Sequence, residues 1–226
     1  MRKQIFSIFF AVGTSFLVFF GINHCIFPSN VVYAAQELPS GITIEDEYLI
    51  PDSFDWCTYY VLVATNNTGK DVEILADFTA ADKNGEVVSL VHDQADAVKD
   101  GQQFILYGQF LNENIGDASS YEYELDVDET ENCTYSMIDV DTNTRDRCIE
   151  VSATNYSEKD IQGVGIRTLF MKNGKAVAFD TVNIADVGYT FRGGSTNSQM
   201  IGQNARDYDN YIMTYISAGF DNTQNF

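Results

Sequence analysis

"ATNNTGKDVEI", Ala64 to Ile74, and "ATNYSEKDIQG", Ala153 to Gly163, are two writings of one phrase, 89 residues apart. At the same offset Lys83-Asn84-Gly85 falls on Lys172-Asn173-Gly174, and Val88 falls on Val177. No insertion separates these landmarks, so a single register is expected between them. Tyr121 in "SYEYELDV" lies opposite Tyr211 in "NYIMTYIS" at an offset of 90. The loops between drift by a few residues, near Asp100-Gly101 and Gly193-Gly194. Constant landmarks with drift confined to loops are the signature of a duplicated domain. The expected units are 42–128 and 134–218, each the size of one small sandwich, joined by an acidic linker at 129–133. A short lead at 35–41 and a polar tail at 219–226 flank them.

The local pattern is strand. "CIEVSAT" (Cys148 to Thr154) alternates apolar Ile149, Val151 and Ala153 with polar Glu150, Ser152 and Thr154, a period of two with one face in and one out. Its counterpart "CTYYVLVAT" (Cys57 to Thr65) has Tyr60, Leu62 and Ala64 facing in, but Tyr59, Val61 and Val63 on the other side are apolar too. A strand apolar on both faces is buried on both, so another layer, in the simplest case the second unit, is expected to cover it. The quoted phrases then read as turns, because Asn and Gly tolerate left-handed backbone and Asn side chains close their own turn. Strands follow: Val72 to Asp82 with Val72, Ile74, Ala76, Phe78 and Ala80 on one face, and in the second unit Val164, Ile166, Thr168 and Phe170. Gly163 and Gly165 interrupt that second pattern and predict a bulge. The two Lys-Asn-Gly triplets predict hairpins. "EVVSLV", "QFILYGQF" and "YEYELDV" continue the first unit; "KAVAFDTVNI", a weaker "NSQMIGQ" and "YIMTYIS" continue the second. No segment reads as an amphipathic helix. About six short strands per unit indicate an all-β chain of antiparallel sandwiches.

Strand, "ATNN-x-G-K-D", and a strand ending "F-x-x-x-D-K-N-G" resemble the FxLYD-type domains, immunoglobulin-like sandwiches of secreted and surface proteins from Gram-positive bacteria. The namesake motif falls on Phe78, Ala80, Ala81 and Asp82, where Phe78 and Asp82 match. In the second unit it falls on Arg167, Leu169, Phe170 and Met171, where Leu169 matches. The resemblance covers both repeats. It implies two tandem immunoglobulin-like domains in an extracellular setting and brings no catalytic residue or cofactor with it.

The N-terminus predicts how the chain leaves the cell. Arg2 and Lys3 precede an apolar run, Ile5 to Ile22, and then a small-residue end at Val32-Tyr33-Ala34. This is the layout of a secretory signal over residues 1–34, cut before Ala35. The alternative is an uncleaved N-terminal anchor, since the run could just span a bilayer. Removing 1–34 takes away two basic residues and no acid, leaving 11 basic against 33 acidic residues and a formal charge of −22. Such a chain does not bind nucleic acid, which needs Lys and Arg to displace counterions. It is equally unsuited to electrostatic adhesion on anionic lipid or anionic wall polymer.

The chemical inventory is thin. His92 is the only histidine after the signal, so no histidine pair or multi-histidine metal cluster can form. "DVDTNTRDRCIE" places Asp139, Asp141, Asn143 and Glu150 at positions 1, 3, 5 and 12 of a calcium loop. However, Thr144 stands at the glycine position and the flanks read as strands, so the expectation is an acidic hairpin turn without metal. Three cysteines remain: Cys57, Cys133 and Cys148. Cys133 and Cys148 flank that turn and are the candidate disulfide, the alternative being three reduced thiols. Trp56, Tyr59, Tyr60, Tyr121, Tyr123, Tyr211 and Tyr215 could build a sugar-stacking or protein-contact surface, but such residues more often fill a core or a seam between domains. The sequence therefore predicts a non-enzymatic, cofactor-free, secreted binding or spacer module whose partner is an extracellular protein or polysaccharide. The competing readings are a carbohydrate-binding module and a hydrolase built from dispersed carboxylates. A cleft holding two facing carboxylates would distinguish the last.

Overall fold

The computed structural model describes residues 32–33, 38–145, 148–186, 190–205, 207–217 and 219. The predicted signal and its cleavage point lie outside these residues, apart from the backbone of Val32–Tyr33, and so does nearly all of the C-terminal tail. Among the described residues there are fifteen strands: β1 (Val32–Tyr33), β2 (Ile42–Pro51), β3 (Cys57–Asn66), β4 (Val72–Asp82), β5 (Val87–Val98), β6 (Gln103–Leu111), β7 (Ala118–Glu129), β8 (Ile138–Arg145), β9 (Cys148–Asn155), β10 (Ile161–Gln162), β11 (Val164–Lys172), β12 (Lys175–Ile184), β13 (Thr190–Phe191), β14 (Thr196–Ile201) and β15 (Asn210–Ser217). The only helical elements among the described residues are two single 3₁₀ turns.

The strands form two clusters with the same order. In the first, β2-β3-β6 packs against β7-β4-β5, with β1 added in parallel to the free edge of β7. In the second, β8-β9-β14 packs against β15-β11-β12, and the short β10–β13 pair lies beside them. Apart from β1 on β7, every pairing among the described residues is antiparallel. Each cluster is a β-sandwich with its own core. The first centres on Tyr60, Phe78, Phe104 and Phe110, the second on Ile149, Phe170 and Phe191, all fully buried.

The repeated phrase makes the same corner twice. Asn66 is fully buried at the end of β3; its Nδ2 donates to the carbonyls of Lys70 and Val98 at 2.8 and 3.0 Å. Its Oδ1 accepts from the amide and hydroxyl of Thr68 at 3.0 and 2.8 Å. Asn155 repeats this with Lys159 and Phe191 (3.0 and 3.2 Å) and with Ser157 (3.0 and 2.7 Å). The amides of Gly101 and Gly194, both at positive φ, close each corner on the carbonyls of Asn66 and Asn155. The loop drift seen in the sequence is thus a change of length between two fixed ends. At the second Lys-Asn-Gly triplet, Lys172 pairs with Lys175, and Asn173 and Gly174 both have positive φ, as a two-residue hairpin turn requires.

Three expectations need correction. "DVDTNT" is not a turn: it lies within β8, paired residue for residue with β9. "ITIEDEYLIP" was not singled out as a strand, yet it forms β2. The single register between the landmarks also fails across β4 and β11. Ala80 faces Tyr121 and Phe170 faces Tyr211, so the equivalence there runs at an offset of 90, and Phe78 corresponds to Thr168 rather than Arg167. The chain breaks at Gly163, between β10 and β11, and returns to its earlier offset in the following hairpin, where Asp82 closes on Glu86 across three residues but Lys172 pairs with Lys175 across two. The motif positions assigned to Arg167, Leu169 and Met171 therefore belong to the opposite face of the strand.

That opposite face is the seam. Val61, Val63, Ile50 and Ile105 of the first sandwich pack on Leu169, Met171 and Phe179 of the second, all buried. The two apolar faces of β3 are thereby explained: Tyr60, Leu62 and Ala64 fill the first core, and Val61 and Val63 fill the seam. Each such side chain contributes on the order of 1.5–3 kcal/mol by leaving water. Four sheets are stacked, and the middle two are packed on both faces at their centres.

Within the second core, Thr168 is fully buried beside Ile166 and Phe170, and its hydroxyl has no partner among the described residues. Thr168→Val keeps the shape and removes the unpaired hydroxyl. It should raise stability by about 1 kcal/mol, a thermal midpoint higher by roughly 2–4 °C. An unchanged or lower midpoint by calorimetry would show that the hydroxyl is satisfied.

Candidate functional site

The loop joining β2 to β3, "DSFDW" at 52–56, holds the most exposed large aromatics of the first sandwich. Phe54 is 74% exposed and Trp56 59%. The loop is nevertheless tied down. The amide of Phe54 donates to Asp52 Oδ2 at 3.1 Å, and the amide of Asp52 donates to the carbonyl of Cys57 at 2.8 Å. Asp55 takes a left-handed φ of 56°, and Asn112 Nδ2 holds both its carbonyl and its Oδ1, at 3.0 and 2.9 Å. Asn112 is fixed in turn by Thr58, whose hydroxyl donates to Asn112 Oδ1 at 2.9 Å, and by its own amide, which donates to the carbonyl of Trp56. Two apolar rings are therefore held in water on a rigid support, which burial alone would not select.

The same loop forms one wall of a notch of about 90 Å³ between the sandwiches. Pro51, Asp52, Ser53 and Tyr59 come from the first; Phe179, Asp180 and Asn204 are among those from the second. The notch admits a few waters but not a sugar ring. Asp180 and Asp52 both line it. Both oxygens of Asp180 already accept backbone N–H groups, from Thr181 at 2.9 Å and Gly202 at 2.8 Å. Tyr59 and Phe179, which line the notch, belong to the seam's aromatic triad: Tyr59 lies 5.3 Å from Phe179, which lies 4.9 Å from Tyr107. Burial, chiefly, pushes the Tyr59 hydroxyl well above the usual phenol range, so it stays protonated.

Beside the triad is a buried ion pair. Arg167 of β11 meets Asp93 of β5 through two bonds, at 2.6 and 2.8 Å, and each side chain is close to 90% buried. Arg167 also donates to the carbonyls of Ile105 and Gln94 and lies over the Tyr107 ring, 5.1 Å from its centre. The amide of Tyr107 supplies Asp93 with a further donor at 3.0 Å. Sequence reading missed this pair and also passed over Phe54. The signal for Phe54 was present: an aromatic between two aspartates in a turn has no core to enter. For the ion pair no signal existed, because its partners are 74 residues apart among many charges.

The other candidates fall elsewhere. His92 lies within β5, exposed, with Nδ1 2.6 Å from Asp77 Oδ1. Asp139, Asp141 and Asn143 are alternate exposed residues of an extended strand, which cannot wrap a cation, and Arg145 pairs with Glu150. Among the described residues no group of three or more His, Cys, Asp or Glu side chains could hold a metal. Cys133 and Cys148 are not brought together. Cys148 faces Arg145 at the turn end of the β8–β9 hairpin, and Cys133 precedes its other end, roughly 20 Å away along the strand. That exceeds disulfide reach, and both are free thiols, as is buried Cys57. Burial is the first cause that raises the Cys57 and Cys133 thiols above their usual range. Of the aromatics, Tyr60, Tyr121 and Tyr123 cluster in the first core, and Tyr60 donates to Glu47 at 2.7 Å. Tyr59 is in the seam. Tyr215 stacks on Tyr135 at 4.3 Å and donates to the carbonyl of Ile138, while Tyr211 packs against the second core. Trp56 alone of the seven stands mainly in solvent.

The fold defines an all-β protein of sandwich architecture. No protein-family model matches the chain, and no curated protein matches it. Among solved structures it is distantly similar to red sea bream transglutaminase, with 9% identity and a TM-score of 0.25 over 80% of this chain and 29% of that one. It is also similar to a β-glucuronidase from glycoside hydrolase family 2, with 13% identity and a TM-score of 0.19 over 72% and 20% of the two chains. The chain spans less than a third of the length of either.

Proposed function

We propose that this chain is a secreted, non-catalytic binding module. In this reading two tandem immunoglobulin-like sandwiches of FxLYD-like type form a rigid support for the β2–β3 loop. The observation that carries it is the pair of exposed rings, Phe54 and Trp56, on a loop whose backbone and side chains are already ordered. An ordered loop loses little entropy on binding, and a tryptophan is the side chain most often found dominating contact energy. The signal-like N-terminus and the strongly acidic composition support an extracellular setting.

The hydrolase reading has one observation in its favour, the presence of Asp52 and Asp180 in one notch. Glycoside cleavage needs two carboxyl groups with a sugar between them. The notch is too small for that, and Asp180 already fastens two backbone amides. The binding reading is preferred on those grounds.

The test is capture of the chain, purified from culture supernatant, on isolated extracellular polysaccharides and proteins. Trp56→Ala should weaken capture roughly tenfold or more and change folding stability by less than about 0.5 kcal/mol, the usual range for a surface substitution. Capture unchanged in both Trp56→Ala and Phe54→Ala would refute the assignment of the site.

A further inference from the structure

We infer that the ligand of the β2–β3 loop is a neutral polysaccharide, bound by stacking of sugar rings on Trp56 and Phe54; this rests on the binding-module reading above. A pyranose ring presents one apolar C–H face and a rim of hydroxyl donors. The loop offers the complement: two exposed rings, with carboxylates at Asp52 and Asp55 between and beside them. Asp52 engages the loop through Oδ2, and Asp55 engages Asn112 through Oδ1. The remaining carboxylate lone pairs can accept hydroxyl protons, as can the Asn204 amide in the adjoining notch.

Charge selects among glycans. No Lys or Arg occurs in the loop or lines the notch, and the chain carries a formal charge of −20. Uronate-rich and phosphate-bearing polymers would meet like charge with no cation to offset it. Extent argues against a broad protein contact. A stable protein interface takes about 800 Å² from each partner around an apolar centre. Near this loop the exposed large apolar residues are Phe54, Trp56 and Val177; Leu75, Val87 and Leu90 belong to β4 and β5 of the other sheet. Because the notch is small, the polymer would lie along the rim, with rings on successive aromatics rather than one unit enclosed.

Trp56 is the only tryptophan in the chain, so its fluorescence reports this loop alone. The intact secreted chain is titrated with galactomannan, mixed-linkage β-glucan and xylan, with polygalacturonate as the anionic counterpart and polylysine as the basic one. The same set is run as affinity gels with Trp56→Ala and Phe54→Ala. At least one neutral polysaccharide should shift Trp56 emission and retard the chain, with retardation falling at least tenfold in Trp56→Ala and absent with polygalacturonate. If no neutral polysaccharide acts but polylysine gives a Trp56-dependent shift and retardation, the site binds basic peptide and the glycan inference is overturned while the binding-module reading stands. If no probe shifts emission and both variants capture extracellular material as well as the parent chain does, both readings fall.

Discussion

Arg167→Met lowers the unfolding free energy by about 3–5 kcal/mol at neutral pH. The guanidinium makes two bonds to Asp93 and two to backbone carbonyls across the seam, at a site almost closed to water. Deleting it leaves the Asp93 carboxylate buried with only backbone donors. Burial already pushes the Asp93 carboxyl above its usual value of 3.8, while Arg167 first, then the amides of Tyr107 and Gln94, pull it back. Without Arg167 the folded-state value rises further above the unfolded one. Between those two values the folded chain holds a proton that the unfolded chain has lost, so stability falls as pH rises through that window. The deficit of Arg167→Met should therefore be largest at pH 7.5 and shrink toward pH 4. Urea unfolding at both pH values checks this. A deficit of the same size at both would mean that lost packing, not the stranded charge, accounts for it. Adding Asp93→Leu to Arg167→Met should recover part of the loss, since a buried pair replaced by apolar groups is often close to neutral.

Asn66→Leu should cost about 2–4 kcal/mol, and Asn155→Leu a similar amount. Each asparagine is fully buried and satisfies four groups at once; leucine takes the side-chain partner from the carbonyl of Val98 or Phe191 and from the amide of Thr68 or Ser157, while the carbonyl of Lys70 or Lys159 keeps only the neighbouring hydroxyl. The seam adds a second expectation. Either substitution should lower the midpoint of one common transition, because the two inner sheets pack on each other through a buried apolar seam. Calorimetry resolving two transitions, with only the mutated sandwich shifted, would show that the seam does not couple them.

Those asparagines were visible in the sequence because their chemistry is local. The corner uses residues within a few positions of each other, and both copies need the same set. The two-sided apolar character of β3 likewise announced its covering layer before the layer could be seen. The register of β11 was hidden because a single-residue break at Gly163 turns its side chains to the other face, and a hairpin one residue shorter brings the landmarks beyond it back into step. β8 was hidden because its aspartates and asparagine are turn formers by propensity, and only pairing with β9 holds them extended. Trp56 was legible as a residue but not as a site, since exposure depends on what the loop is prevented from packing against.

The seam joins the back of one unit to the front of the next, a contact that has no natural last member. What corresponds to that front in the first sandwich is its outer sheet face. There Leu169, Ile212, Thr214 and Arg167 are replaced by Thr79, Glu122, Glu124 and Asp77, and the row continues with Asp126 and Asp128. These carboxylates stand opposite or beside one another in like-charge pairs that weaken the sheet carrying them. The apolar back of the first sandwich is already spent in the seam, and an apolar partner docking on this front would have to strip water from a row of negative charge.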